Sequence, residues 1–277
     1  MAYILAILWG LVQGLTEILP VSGSAHMAIL ERVLGQTAAR TEQRFFYGLL
    51  DLALAAAVLL AYRQELAAII RAFSHKPARA ADRSVRQAGR ERRRLVLLLA
   101  VGLLPLLLEI LLQRWTAALY TKPLVWAAFL ALGGLVRFLS TARTGGEKDA
   151  RQMRLPDALL IGAAQAVSVL PGLSRTGLTV AAGLYRGAKA EFSLEYSFLL
   201  AVPFWLGAGI IRIIQGCVAG VTAARLPAYL AGAIVCVLAA RFALARLRQL
   251  TRKKSWSQFA FYSWAAAVFS IFLFLIT

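Results

Sequence analysis

A short polar stretch near the beginning of the chain carries several reactive side chains. Gln13 and Glu17 are four residues apart, so on a helix they share one face. A proline then ends or kinks that helix. A small turn follows, with Ser22, Ser24 and His26. These groups predict metal binding, phosphate binding or proton transfer, with His26 also open to a purely structural hydrogen-bonding role.

A second polar stretch, Pro171 to Thr179, contains an arginine and several hydroxyls. The Arg175 guanidinium offers a planar fork of N–H donors that matches phosphate oxygens. If a helix begins near Ser174, its free backbone N–H groups add a second means of holding an anion. We therefore predict a phosphate-binding turn that comprises Gly172, Ser174, Arg175, Thr176 and Thr179.

Three further carboxylates lie in or beside apolar segments. Two roles are open to Asp51. It completes a polar cavity with the first hairpin and there holds a cation or Arg175, or it serves as a structural partner. An ion pair of Arg175 with Glu17 or Asp51 is the structural alternative to phosphate binding. Glu109 is expected to reach the interface, and Glu195 to cap a helix.

The composition predicts a polytopic membrane protein. Of 277 residues, 60% are hydrophobic, and the mean hydropathy is +0.69, whereas a soluble domain is near half apolar. The basic residues that give the chain a net charge of +18 lie between apolar segments, as membrane-orientation signals do. Nucleic acid is therefore not an expected partner. No removable signal peptide and no sizeable soluble domain are expected.

The apolar segments predict an all-α fold with six crossings and two re-entrant hairpins. A crossing needs about 20 apolar residues. The regions 2–34 and 157–189 are apolar but broken by Pro, Gly and Ser, and each half is too short to span. Broken backbone at membrane depth must face protein or a wet cavity. The predicted crossings are 45–62, 95–113, 123–142, 196–214, 227–245 and 258–276.

Basic residues predict the orientation. The segments 63–94, 137–154 and 241–254 hold ten, five and six Lys and Arg residues, so we assign them to the cytoplasm and both termini to the outside. Each half is then a hairpin followed by three crossings, and the halves run in opposite directions. This predicts an inverted repeat in one membrane domain, with halves at about 1–142 and 151–277 and a linker at about 143–150.

Three stretches resemble the undecaprenyl-pyrophosphate phosphatase family, the bacterial integral-membrane enzymes associated with bacitracin resistance. The resemblance runs the whole length of the chain. The matching stretches are Gln13-Gly-Leu-Thr-Glu17 with Leu19-Pro-Val-Ser22 and His26, then Pro171-Gly-x-Ser174-Arg175-x-Gly177-x-Thr179, and Ser197-Phe-Leu-Leu-Ala-Val-Pro203.

The resemblance implies an activity and a setting. The expected reaction removes the terminal phosphate of undecaprenyl pyrophosphate at the outer face of the cytoplasmic membrane, recycling the lipid carrier for cell-wall synthesis. Mg²⁺ or Ca²⁺ is the implied cofactor, with Glu17 and Gln13 as the metal-binding candidates, and a homo-oligomer is one option. By position, the implied functional residues are Glu17, His26, Ser174, Arg175 and Thr179.

The chain departs from the family pattern at three positions. Gln13 stands where many members have Glu, and Thr176 stands where Ser is usual. Gly23 stands where members commonly have a serine proposed as the nucleophile. Attack by a neighbouring serine, by His26 or by water remains open.

We interpret the chain as a phosphatase in which the 171–176 turn holds pyrophosphate. Glu17, with Gln13, organises a cation or the attacking group. A non-hydrolytic transporter of a polyprenyl phosphate is the rival, because inverted repeats are a transporter architecture. A catalytically inactive binding protein is a third reading. Release of inorganic phosphate separates the first from the other two.

The orientation is testable with single cysteines in a Cys217→Ser, Cys236→Ser background. We expect an impermeant thiol reagent on intact cells to label Thr116→Cys and not Ser84→Cys, because the basic segment 63–94 is assigned to the cytoplasm. The reverse labelling pattern contradicts the assignment.

Overall fold

The computed structural model describes residues 2–34, 41–74, 83–108, 116–143, 146–253 and 256–276. Eleven α-helices have bounds within these residues, which confirms the all-α prediction. They are α1 Ala2–Ile18, α2 Gly23–Val33, α3 Thr41–Ala61, α4 Arg63–Ser74, α5 Arg83–Leu103, α6 Pro123–Ser140, α7 Leu155–Val167, α8 Arg175–Tyr185, α9 Ala190–Val218, α10 Leu226–Arg252 and α11 Ser257–Ile276.

Five helical segments are long and apolar enough to cross a membrane. They confirm a polytopic membrane protein and coincide with five of the six predicted crossings. The sixth, 95–113, begins in α5 and runs into residues 109–115, which lie outside the described ranges together with Glu109. The five segments are Gln43–Ala61, Pro123–Arg143, Ala190–Val218, Ala223–Arg252 and Ser257–Leu275.

Both broken regions form pairs of short helices. At about 1.5 Å per residue, α1 and α7 extend roughly 26 and 20 Å, less than the roughly 30 Å hydrocarbon core. A serine caps the second helix of each pair. The Ser22 hydroxyl accepts from the Ala25 N–H at 3.4 Å, and the Ser174 hydroxyl accepts from the Gly177 N–H at 3.1 Å.

The two turns need unusual backbone. Ser22 has a φ of 74°, and Gly172 has a φ of 102°. A Cβ on Gly172 would also lie 2.6 Å from the Trp126 carbonyl oxygen of α6. Gly172 therefore allows the second turn to pack closely against α6. This structural role is in addition to the role in phosphate binding predicted for it.

Glycines bring the main helix pairs into backbone contact. Helix α1 packs along α10, and α7 packs along α5. A Cβ at Gly10 would lie 2.0 Å from the carbonyl oxygen of Gly232, and one at Gly162 would lie 2.0 Å from that of Gly102. Gly10 and Gly162 each precede by three residues the glutamine that the two hairpins share in sequence. The same close approach thus occurs twice.

Two further helix pairs join the two halves of the chain. Helix α3 packs against α9 and α6 against α11, which pairs the first and the third predicted crossing of one half with their counterparts in the other. Gly48 and Gly209 make the α3–α9 crossing, where a Cβ on either would lie 2.8 or 3.0 Å from the other's carbonyl oxygen. If each helix is replaced by its counterpart in the other half of the chain, the same four helix pairs result.

Two details differ from the sequence-based expectations. Helix α9 begins at Ala190 with Glu191 in its first turn, so the expectation that Glu195 caps this helix is wrong. Glu195 instead lines a cavity of about 310 Å³ with Glu65 and Arg248. Thr116 is 4% exposed, so the exposed Thr121 is the better cysteine position for testing the predicted outer segment.

The glycine contacts predict that alanine substitutions at different glycines differ greatly in their effect on the stability of the protein. Gly10→Ala and Gly162→Ala should each destabilise the protein by about 2 kcal/mol, because overpacking forces the helices apart. In a chain of this size that lowers the melting temperature by roughly 4–8 °C in detergent. Gly207→Ala is the matched control, since nothing lies within 4 Å of an added Cβ there. Equal melting temperatures for all three variants would contradict the packing.

Candidate functional site

The tips of the two hairpins meet inside the bundle. The Thr176 hydroxyl, at the start of α8, donates to the Glu17 carbonyl oxygen at 3.1 Å. One residue earlier, Arg175 Nη1 lies 3.2 Å from Glu17 Oε1, with both side chains 13% exposed. Residues that are far apart in sequence thus form one polar centre.

The Arg175 guanidinium is only partly satisfied by the protein. Its carbon lies 3.8 Å from the centre of the Phe204 ring and 5.7 Å from that of Trp205. Its Nε and Nη1 atoms are buried, and no hydrogen-bond acceptor for them occurs among the described residues. Nη1 is close to Glu17, but its N–H bonds are not aimed at the carboxylate. Aromatic stacking fixes the guanidinium while two donors remain for an anion.

Most hydroxyls of the second turn already have protein partners. The Thr179 hydroxyl donates to the Arg175 carbonyl at 2.8 Å and lies 2.5 Å from the Ser197 hydroxyl. Ser174 caps α8, and Thr176 bonds to Glu17. The structure brings these predicted residues together, but their hydroxyls shape the turn. Among the side chains predicted to bind phosphate, Arg175 is the one that has buried nitrogen donors without acceptors.

The first turn places a glycine against the central carboxylate. A Cβ on Gly23 would lie 2.3 Å from Glu17 Oε2 and 3.2 Å from the Glu17 Cα. The missing side chain therefore provides the space in which the Glu17 carboxylate lies beside Arg175. The Ser22 and Ser24 hydroxyl oxygens are 3.3 Å apart on the same turn.

His26 has hydrogen-bond partners at both ring nitrogens. Its Nδ1 is 2.8 Å from the Ser22 carbonyl oxygen, and its Nε2 is 2.8 Å from the Tyr262 hydroxyl. A carbonyl only accepts, so Nδ1 carries the proton and Nε2 of the neutral ring accepts from Tyr262. Tyr262 lies on α11, within the predicted crossing 258–276, and was not among the site residues selected from the sequence.

Asp51 pairs with an arginine that the sequence analysis did not select. Its Oδ2 lies 2.6 Å from Arg212 Nη1, so the option that Asp51 holds Arg175 is wrong. Asp51 is 4% exposed, whereas 42% of the Arg212 side chain is exposed. An arginine inside the apolar segment 196–214 was a signal for this site, because ionisable groups are expensive in a membrane.

The donor set suits a cation that arrives with phosphate. Among the described residues no three His, Cys, Asp or Glu side chains are grouped as metal ligands. Glu17 is the carboxylate at the hairpin tips, and Gln13 is buried one turn earlier on α1. Mg²⁺ often uses one or two carboxylates together with substrate phosphate oxygens. These residues fit that mode and do not form a closed protein cage.

Comparison with known proteins gives a match over nearly the whole chain. Residues 6–269 match the family described as bacitracin resistance protein BacA. A protein from Methanobrevibacter smithii named undecaprenyl-diphosphatase is 32% identical over 272 residues, covering 97% of this chain and 96% of its own. Proteins of the same name are 29% identical in Halothermothrix orenii, covering 95% of each chain, and 32% identical in Syntrophotalea carbinolica, covering 95% and 96%.

Proposed function

Because the chain belongs to the bacitracin resistance protein BacA family, we propose that it hydrolyses undecaprenyl pyrophosphate to undecaprenyl phosphate and inorganic phosphate. The observation that carries this proposal is the Arg175 guanidinium, which keeps two buried donors without acceptors beside Glu17. Buried N–H groups without partners are costly, and a phosphate oxygen satisfies them. The substrate is the one in the relatives' printed names.

Arg175 is the principal phosphate-binding residue in this proposal. Its planar fork binds two oxygens at once, and the α8 N-terminus adds a favourable dipole. Glu17, with Gln13, would hold a divalent cation. Such a cation neutralises charge on the transferring phosphoryl group, the main requirement of this chemistry. Glu17 also keeps Arg175 oriented before the substrate binds.

Water is the proposed nucleophile, and His26 the proposed base. The position that carries serine in many members is Gly23, and its space is filled by the Glu17 carboxylate. His26 Nε2 has a lone pair that now accepts from Tyr262, and a water in place of that hydroxyl can give up its proton there. The Ser22 and Ser24 hydroxyls are assigned to binding phosphate or the cation.

The membrane arrangement is a further part of the proposal. It comprises six crossings, two re-entrant hairpins, both termini outside and a site open to the outer face of the cytoplasmic membrane. Support comes from the basic segments, from the shortness of α1 and α7, and from four main helix pairs that stay the same when the halves 1–142 and 151–277 are exchanged. A transporter of the same lipid is the less favoured alternative, since the matched relatives are named as phosphatases.

Arg175→Lys keeps the charge but removes the fork. We expect kcat/KM for phosphate release from a polyprenyl pyrophosphate to fall about tenfold to a thousandfold, or roughly 1.4–4 kcal/mol. Arg246→Lys is the matched control, because Arg246 also lies over a phenylalanine ring, at 5.3 Å, but on α10. If the Arg175→Lys variant is as active as the parent, bidentate phosphate binding is wrong.

The double variant Ser22→Ala, Ser24→Ala tests the nucleophile. If the two hydroxyls only bind ligand, losing about 1 kcal/mol for each lowers turnover roughly 30-fold. Ser22→Asn alone, which keeps a capping side chain, separates a fold defect from a chemical one, and melting temperatures are measured for each variant. Loss of turnover to the uncatalysed level in a folded double variant identifies a serine nucleophile instead.

A further inference from the structure

A second arginine lies on the face of α9 that packs against Arg175. Phe204 and Trp205 on this helix contact the Arg175 guanidinium. Arg212 follows Trp205 by seven residues. Seven residues are two helical turns, so Arg212 lies on nearly the same face, about 10.5 Å further along the axis. Asp51 interacts electrostatically with both Arg212 and Arg175, so the two guanidiniums lie in the same region of the protein.

The α3–α9 crossing fixes the position of Arg212. Gly48 and Gly209 bring the two backbones together, and each is followed three residues later by a charged residue. These residues are Asp51 and Arg212, whose side chains join at 2.6 Å through Nη1. The guanidinium is thus anchored at one nitrogen by a buried carboxylate.

The Arg212 side chain is only partly covered by the protein. The Arg212 side chain is 42% exposed and its partner carboxylate only 5%. Glu17 and the Tyr120 hydroxyl are close enough to interact with it electrostatically. Arg212 is therefore within electrostatic range of the same central carboxylate that Arg175 contacts.

The charge of the substrate requires more than one cation. A lipid diphosphate carries roughly two to three negative charges near neutral pH, because the last phosphate pKa is about 6. Part of the Arg175 charge is balanced by Glu17 at 3.2 Å. One guanidinium, even together with the divalent cation proposed at Glu17 and Gln13, leaves part of the diphosphate charge uncompensated in a site of low dielectric constant.

We propose that Arg212 is a second substrate-binding residue, which contacts the phosphate group that Arg175 does not hold. In this arrangement Asp51 positions Arg212 by binding Nη1, and the other N–H groups face the ligand. Two guanidiniums, Arg175 from α8 and Arg212 from α9, then select a diphosphate over a monophosphate, so the product is released. This inference rests on the proposed function, whose substrate class it makes specific.

Competition by inorganic pyrophosphate and inorganic phosphate tests the proposal on the purified full chain. We expect Arg212→Gln to raise the inhibition constant of pyrophosphate at least tenfold and that of phosphate less than threefold, with a higher KM for the lipid substrate. Arg212→Lys should lie between. Arg246→Gln removes an exposed positive charge on α10 and should change neither constant. Equal inhibition by pyrophosphate for the parent and Arg212→Gln overturns the proposal.

A double variant separates ligand binding from a structural ion pair. Asp51→Leu with Arg212→Met replaces the pair by apolar side chains, which usually preserves folding. We expect the inhibition constant of pyrophosphate for this folded variant to remain at least tenfold above that of the parent, because the guanidinium is absent. Restoration of the parental constant would mean that the pair is only structural, and the inference fails.

Calorimetric measurement of pyrophosphate binding distinguishes a failure of the Arg212 proposal from a failure of the proposed hydrolysis. A parent protein that releases no phosphate contradicts the proposed hydrolysis and leaves the binding measurement intact. Tighter calorimetric binding of pyrophosphate by the parent than by Arg212→Gln then still supports Arg212 as a ligand. Equal binding by the two proteins overturns the role of Arg212 whatever the activity of the parent.

Discussion

The contact between the two hairpin tips is the interaction on which the site depends. The Thr176 hydroxyl binds the Glu17 carbonyl, and the adjacent Arg175 lies beside the Glu17 carboxylate. In a low-dielectric interior each of these charges is costly alone, so the ion pair makes burial of both tolerable. The pair is incomplete, however, because Arg175 retains two donors without acceptors. A site held together by an unsaturated ion pair is prepared for a further anion.

Close helix packing makes this meeting of the hairpins feasible. Apolar side chains give little drive for association between helices in lipid, so small residues that permit backbone contact are important. Gly10 and Gly162 let the first helix of each hairpin lie directly against a long helix of the other half. Gly48 and Gly209 do the same for α3 and α9. These contacts position both tips from opposite sides and leave little freedom for the polar centre to separate.

Small differences in side-chain volume set the chemistry of the first turn. Gly23 leaves the space into which the Glu17 carboxylate extends, whereas a serine at this position would compete with it. The same turn holds His26 through the Ser22 carbonyl, and Tyr262 reaches its other nitrogen from the end of the chain. Glu17, His26 and Arg175 are thus supplied by α1, α2 and α8. Rigid helices orient such groups more accurately than a long loop does.

The sequence alone determined the membrane class, five of the crossings and the two broken hairpins, because hydrophobic length and helix breakers are local properties. It also selected Glu17, His26 and Arg175, since ionisable groups in apolar surroundings are rare. Only the tertiary structure decided which charges pair. Asp51 meets Arg212 and Arg175 meets Glu17, because glycine contacts between distant helices fix which side chains face each other. Sequence spacing carries no information on such crossings, so neither Tyr262 nor the orientation of Arg212 was accessible without it.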